Sequence, residues 1–307
     1  MRTTGPGPAL DSLHGLALGD AFGDRWFAVP TDEAPAALAA RLPRPAPWHW
    51  TDDTAMAIVL LRHLRANGEV RQDALAREFA AEYTREYGRK YGPSMHRVLR
   101  GIQDGGDWRA VTSGQFEGQG SYGNGAAMRV APLGAWFADD LGTVARQAEL
   151  QARTTHFHPE AVAGAVAVAL AAALAARGRG RDAPTRAELL GEIAGRLPDS
   201  DVRSGLRIAA RLPGTASVRH AAHVLGSGLL ISAPDTVPFA LWSAAGHQDS
   251  LPDALWHTLE GWGDMDTTTA IAGGVVAART GTAGVPASWP AAREDLPADL
   301  LPDPLPG

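Results

Sequence analysis

Two short acidic clusters hold the chemistry most legible in this chain, Thr51-Asp52-Asp53-Thr54 and Asp264-Met265-Asp266-Thr267. Each sets two carboxylates and a threonine hydroxyl within four residues and opens onto a run with helical patterning. Carboxylate and hydroxyl oxygens are the donor set of hard divalent cations. Four carboxylates gathered without a cation repel one another and raise one another's pKa values. If the fold brings the clusters together, a cation centre is the least costly arrangement. Six oxygen-bearing side chains drawn from the two clusters suit two ions about 3.5–4 Å apart. Taken singly, each cluster also reads as helix capping, with Thr51 at an N-cap and the acids at the positive end of the helix dipole.

Three further stretches bear on a ligand. Gly118-Gln119-Gly120-Ser121-Tyr122-Gly123-Asn124-Gly125 lets backbone amides approach an anion closely, just ahead of a helix expected from Ala126. It is neither a Walker loop nor a dinucleotide fingerprint, because no lysine follows and no strand precedes; a flexible connection would have the same composition. Thr154-Thr155-His156-Phe157-His158-Pro159 puts two histidines before a helix without the partners zinc requires, which leaves hydrogen bonding to a ligand or capping by the threonines. Gly15, Gly19 and Gly23 recur one turn apart, a spacing that admits close helix packing, and Asp20 and Asp24 add carboxylates along the same segment. Asp20 can equally serve to hold a neighbouring loop.

The elements that position these residues read as helices. Asp53 to Ala66 is apolar on most faces and stops at Gly68, and residues 72–87 follow with a 3.6-residue period. Pro93 suits a helix start. Further helices are expected over 126–139, 141–153, 159–177, 185–196, 201–211, 235–247, 252–261 and 267–279. Residues 112–125 hold five glycines and read as loop. Alternating strand patterns are absent, so the expectation is one all-α domain over residues 10–281, after a disordered stretch 1–9 and before a Pro- and Ala-rich tail, 282–307, only partly packed.

The 307 residues are 45% hydrophobic and 20% charged, a globular composition able to bury a substantial core. A net charge of −6 without a basic stripe argues against stable nucleic-acid binding. No cysteine is present, which removes disulfides and thiolate chemistry and fits a reducing cytoplasm. The uncharged stretch from Ala161 to Ala176 is short and Ala-rich for a membrane span and reads as a buried central helix. A cytoplasmic monomer without membrane attachment is the expectation.

Read in order, these motifs resemble the ADP-ribosylglycohydrolase family, of the dinitrogenase-reductase-activating type. The resemblance lies in GLALGDAFG at 15–23, TDDTAM at 51–56, GSYGNGAAMRVAPLG at 120–134, TH-x-HP at 155–159 and GDMDTTTAI at 263–271. It implies a compact, single-domain orthogonal bundle of helices with two Mg²⁺ or Mn²⁺ ions at the bottom of a cleft. By position, Thr51, Asp52, Asp53, Asp264, Asp266 and Thr267 match the family's metal ligands. Gly120, Ser121, Tyr122, Gly123 and Asn124 match the loop holding diphosphate and ribose, and His156 matches the histidine beside it. Phe239 and Trp242 are candidates for adenine contact. The implied activity is hydrolysis at ribose C1″ of an ADP-ribosylated protein or small molecule, with Asp52 or Asp24 as general base. One departure stands out: the family's Gly-x-Pro-x-Glu segment is absent, and Phe27 occupies the glutamate position. That departure opens two other readings, an ADP-ribose-binding protein without turnover and a metallohydrolase of a free ADP-ribosyl metabolite.

Overall fold

The computed structural model describes residues 6–29 and 33–300, and among them no strand forms. The first part of the chain gives α1 (Pro6–Asp24), α2 (Ala34–Ala39), α3 (Asp52–Asn67), α4 (Gln72–Arg85), α5 (Pro93–Gln103), α6 (Trp108–Ser113) and α7 (Gln115–Gly118). A 3₁₀ turn at Asn124–Ala126 precedes α8 (Ala131–Trp136), α9 (Leu141–Arg153), α10 (Pro159–Arg177), α11 (Arg186–Gly195) and α12 (Asp201–Arg211). The chain closes with α13 (Val218–Leu225), α14 (Ala233–Gly246), α15 (Leu251–Leu259), α16 (Met265–Thr280), α17 (Ser288–Ala292) and a last 3₁₀ turn at Ala298–Leu300.

Local chemistry sets many of these boundaries. Thr51 caps α3 by accepting from Asp53 N at 3.4 Å, and Gly68 ends the helix in the left-handed region, φ 73°. Thr185 and Glu188 form a reciprocal capping box on α11. Asp140 caps α9 through the amides of Gly142 and Thr143. α10 is long and apolar enough to cross a membrane by length and composition, but 78% of that window is buried within the fold. It is a core helix.

The tightest helix pair is α1 with α16. A Cβ at Gly15, Gly19 or Gly23 would overlap the backbone oxygens of Gly273, Thr269 or Met265 respectively. The glycine stripe therefore lets the two backbones touch along three turns. Ser12 Oγ donates to Gly274 O at 2.7 Å and Thr269 Oγ1 to Gly19 O at 2.7 Å, which pins the register. Since α16 begins inside the second acidic cluster and α1 bears Asp20, this packing joins the two ends of the chain at the site. Phe22, one turn along, lies among Trp26, Trp48, Trp256 and Trp289 with ring centroids 4.9–6.5 Å apart.

Several expectations differ from what forms. Residues 6–9 belong to α1 and Ala9 is fully buried, so the disordered stretch does not reach residue 9; residues 1–5 lie outside the described residues. Within 282–300, Trp289, Leu296 and Leu300 are buried and Arg65 donates to the carbonyls of Asp299 and Leu300 at 3.0 and 2.9 Å, while most of the segment is exposed; residues 301–307 lie outside the described residues. The expected helix 126–139 divides into the 3₁₀ turn and α8, with Pro132 at the start of α8. Residues 108–118 and 218–225, read as unstructured or passed over, form α6, α7 and α13.

Candidate metal and anion site

A cavity of about 470 Å³ opens between the first turns of α3 and α16, the glycine-rich loop and the start of α5. Asp52, Asp53, Asp264, Asp266 and Thr267 line one wall. Ser121, Tyr122, Gly123, Asn124, Gly125 and His156 line another. The two acidic clusters, more than two hundred residues apart in sequence, thus meet across one space.

The tightest part of the acidic wall is a trio that includes a residue outside both clusters. Asp20, Asp53 and Asp266 offer carboxylate oxygens that all lie within 4.8 Å of one another. Asp20, fully buried on α1, accepts from Thr51 N and Thr51 Oγ1, both at 2.9 Å, and from Thr54 N at 3.1 Å and Thr54 Oγ1 at 2.6 Å. It therefore clamps the turn that presents Asp52 and Asp53. The Thr51 hydroxyl lies within reach of both Asp20 and Asp53 as a donor, and it accepts from Asp53 N, which leaves one lone pair for a cation. Thr51 itself stands behind the cavity wall, 2% exposed. Asp264 Oδ2 accepts from Asn124 Nδ2 at 2.7 Å, which ties the glycine loop to the acidic wall.

Burial sets the charge state of this wall. It pushes Asp20 up to about 6, against the pull of the four hydrogen bonds from Thr51 and Thr54. Burial and then the neighbouring carboxylates hold Asp52, Asp53 and Asp266 well above the ordinary range, and burial raises Asp264 as well. Asp53 Oδ1 is buried with no hydrogen-bond partner. An orphaned carboxylate oxygen amid four other carboxylates fits a divalent cation, which neutralises the charge and satisfies the oxygen together.

The anion wall is made of backbone. Gly120 adopts φ +77°, and a Cβ there would press on His158 N and the Phe157 side chain. Ser121 Oγ accepts from Gly123 N at 3.2 Å, and Ala233 N donates to Tyr122 O at 3.0 Å, so the loop is held on both sides. The His156 ring lies under Gly123 and Gly125, 3% exposed, with its pKa pushed down to about 3 by burial. Two aromatic rings that also line the cavity, Phe116 and Tyr122, are 50% and 48% exposed. Phe116 adopts φ 49°, on a segment whose glycines hide any helical period from sequence reading.

Other expected site residues lie elsewhere. Asp24 pairs with Lys90 and does not line the cavity, because α1 carries it one turn beyond Asp20 to the edge of the fold. A carboxylate neutralised by an ammonium at the rim is badly set for base catalysis. Phe239 and Trp242 are fully buried core residues of α14, Phe239 closing on Gly261, and neither meets the cavity. Phe27, at the glutamate position of the family, is half exposed and outside the cavity lining. Asp20 was visible only as a residue one turn from other small and acidic positions; its contact with Thr51 and Thr54 depends on tertiary packing. A second cavity of about 930 Å³ shares Leu230 with the first, but its Asp235 carboxylate is engaged with Leu230 N at 2.9 Å.

The site's composition agrees with what the chain is similar to. The family model described as ADP-ribosylglycohydrolase matches residues 8–303. Human ADP-ribosylhydrolase ARH3 is 30% identical over 78% of this chain and 73% of its own. The ADP-ribosyl-[dinitrogen reductase] glycohydrolase of Rhodospirillum rubrum is 28% identical over 92% of this chain and 88% of its own. A solved ADP-ribosylglycohydrolase-related protein complex superposes with a TM-score of 0.65 over 94% of this chain and 93% of the matched one, at 24% identity, which speaks to fold alone. With its sequence matched almost end to end and its acidic clusters gathered at one cavity, this chain belongs to the ADP-ribosylglycohydrolase family of hydrolases.

Proposed function

We propose that the chain is a divalent-metal-dependent hydrolase that releases ADP-ribose from a modified acceptor by cleaving the glycosidic bond at ribose C1″. The observation that carries this reading is the buried carboxylate wall facing a glycine loop across one cavity. Two Mg²⁺ or Mn²⁺ ions suit the oxygens of Thr51, Asp52, Asp53, Asp264, Asp266 and Thr267, with Asp20 bracing the cluster. When bound, they supply orientation of the ribose hydroxyls and a more acidic water.

The chain's own groups do the rest. In the loop from Gly120 to Asn124, the amides of Gly120, Gly123 and Asn124 donate within the protein, those of Ser121 and Tyr122 receive the diphosphate, and His156 adds a side chain from beneath. The exposed faces of Phe116 and Tyr122 offer stacking to adenine. Asp52, in the first turn of α3 on the cavity wall, takes the proton of the attacking water. The carboxylates together favour the positive charge that develops on the ribose as the bond breaks. The names of the relatives, an ADP-ribosylhydrolase and a glycohydrolase of ADP-ribosyl-dinitrogen reductase, support a modified protein as acceptor, with an ADP-ribosyl metabolite as the alternative.

A second reading, an ADP-ribose-binding protein with little turnover, is favoured by Phe27 at the glutamate position and by the engagement of Asp24 with Lys90. Release of ADP-ribose from arginine- and serine-linked protein, modified nucleic acid and O-acetyl-ADP-ribose, with Mg²⁺, Mn²⁺ or chelator, separates the two. Metal-dependent release from any member establishes the hydrolase and names its acceptor. Tight ADP-ribose binding without release establishes the binding protein.

A further inference from the structure

The reading above leaves one fully buried cation without a role. Arg129 lies between α3, α4 and α9, and no carboxylate touches it. Its Nε donates to Gln151 Oε1 at 2.9 Å, and its Nη2 donates to Gln151 O at 3.1 Å and to Thr155 Oγ1 at 2.8 Å. Its Nη1 meets Met56 Sδ at 3.4 Å, and the Phe79 ring lies 4.3 Å from the guanidinium carbon. The orientation of the Gln151 amide is settled, since its Nε2 donates to Ala126 O at 3.1 Å. Burial brings this guanidinium down to about 9, against the charge of Asp52, which acts on it without direct contact.

We infer that Arg129 is a positioning residue: through Thr155 it fixes His156 in the tautomer that presents an Nε2–H donor to the cavity. The argument is an inventory of hydrogens. The Thr155 hydroxyl has one proton and two lone pairs, and Arg129, a donor only, occupies one lone pair. The remaining partner of Thr155 Oγ1 is His156 Nδ1 at 2.8 Å. If Nδ1 carried the ring proton it would take the second lone pair, and the Thr155 hydroxyl proton would face nothing. Thr155 is fully buried, so an unpartnered hydroxyl proton there carries its full desolvation penalty. The hydroxyl therefore donates to Nδ1, and the neutral ring carries its proton on Nε2.

His156 Nε2 finds no hydrogen-bond partner among the described residues, and the ring lines the cavity. The missing side chains of Gly123 and Gly125 leave it room; a Cβ on Gly125 would stand 3.0 Å from Nε2 and one on Gly123 3.3 Å away. A nitrogen that carries a proton has no lone pair for a metal, so His156 serves an anionic oxygen instead. That this oxygen belongs to a diphosphate rests on the function proposed above; the tautomer does not.

The test is nitrogen NMR of ¹⁵N-histidine-labelled full-length protein, with the His156 signals assigned by their loss in His156→Gln. The expected spectrum at neutral pH is one tautomer, protonated at Nε2 and bare at Nδ1. Thr155→Val should mix the tautomers and weaken ADP-ribose binding about tenfold by calorimetry, and Thr155→Ser should restore both. An Nδ1–H ring or a tautomer mixture in the wild type overturns the inference, as does Thr155→Val leaving the spectrum unchanged. If Thr155→Val fails to fold, the wild-type and Thr155→Ser spectra decide the matter. A wild type with the Nε2–H tautomer but no affinity for ADP-ribose sinks the functional reading and leaves the relay standing.

Discussion

Among the described residues, a buried cluster of carboxylates and a half-buried pair of histidines meet desolvation in opposite ways. At the cavity, Asp20, Asp52, Asp53, Asp264 and Asp266 crowd together with one oxygen left unpartnered. Between α14 and α15, the rings of His247 and His257 lie 4.3 Å apart, with His257 Nδ1 against Ser243 Oγ at 2.8 Å. A histidine has a neutral form that needs no counterion at ordinary pH, so burial simply selects it, pushing His257 down to about 3 and lowering His247. Aspartate near neutral pH has no such refuge. The histidine pair is therefore complete as it stands, while the acidic wall calls for a partner from outside.

The contrast is breakable, and the largest effect lies at the acidic wall. Asp266→Asn should lower metal-dependent turnover by more than about a hundredfold and abolish stabilisation by the cation. In the wild type, Mg²⁺ or Mn²⁺ at a hundred times its dissociation constant should add about 2.7 kcal/mol, read as a shift in Tm. Equal shifts in both proteins would remove the metal assignment. Next comes the clamp that holds the wall together. Gly19→Ala drives a methyl into the Thr269 carbonyl and should cost about 1–3 kcal/mol in urea unfolding, with weaker cation binding as a consequence.

Acidity separates the two clusters by sign. His257 keeps a folded-state value near 3 against 6.5 when unfolded, so its contribution is complete above pH 6.5 and is lost as pH falls toward 3. Asp20, raised to about 6 from 3.8, contributes below pH 3.8 and loses that contribution as pH rises through 6. With chelator present, the two changes oppose each other between pH 3.8 and 6, and the carboxylates held higher still, Asp52, Asp53 and Asp266, carry the loss of stability to the alkaline side. Added cation should lift the alkaline side alone. A cation that lifted both sides equally would mean it binds elsewhere. The smallest effect belongs to the rim: Asp24→Asn breaks its pair with Lys90 and should change turnover less than about threefold. A loss of a hundredfold there would return Asp24 to the chemistry.

How far the sequence carries depends on whether a feature is local. The capped start of α3, the proline start of α10 and the spans of α9 and α12 follow from residues within a turn or two, and they are readable as such. α7 is not, because Phe116 and Glu117 turn left-handed among glycines and leave no period. Likewise the two acidic clusters announce themselves by spacing, but Asp20 joins them only through the packing of α1 against α3 and α16. Arg129 is hidden for the same reason: within Ala126–Gly134 it reads as one charge in an apolar run, and its partners come from three other helices.

The contact of α1 with α16 has a consequence in time. Asp20 is synthesised well before Asp266, so the three-carboxylate wall exists only once α16 has docked along the glycine stripe. A nascent or truncated chain ending before Asp264 still displays Asp20, Asp52 and Asp53, but not the opposing half of the cavity. A cation that needs both halves of the wall would bind only after that docking, so its uptake would read out the assembly of α1 against α16.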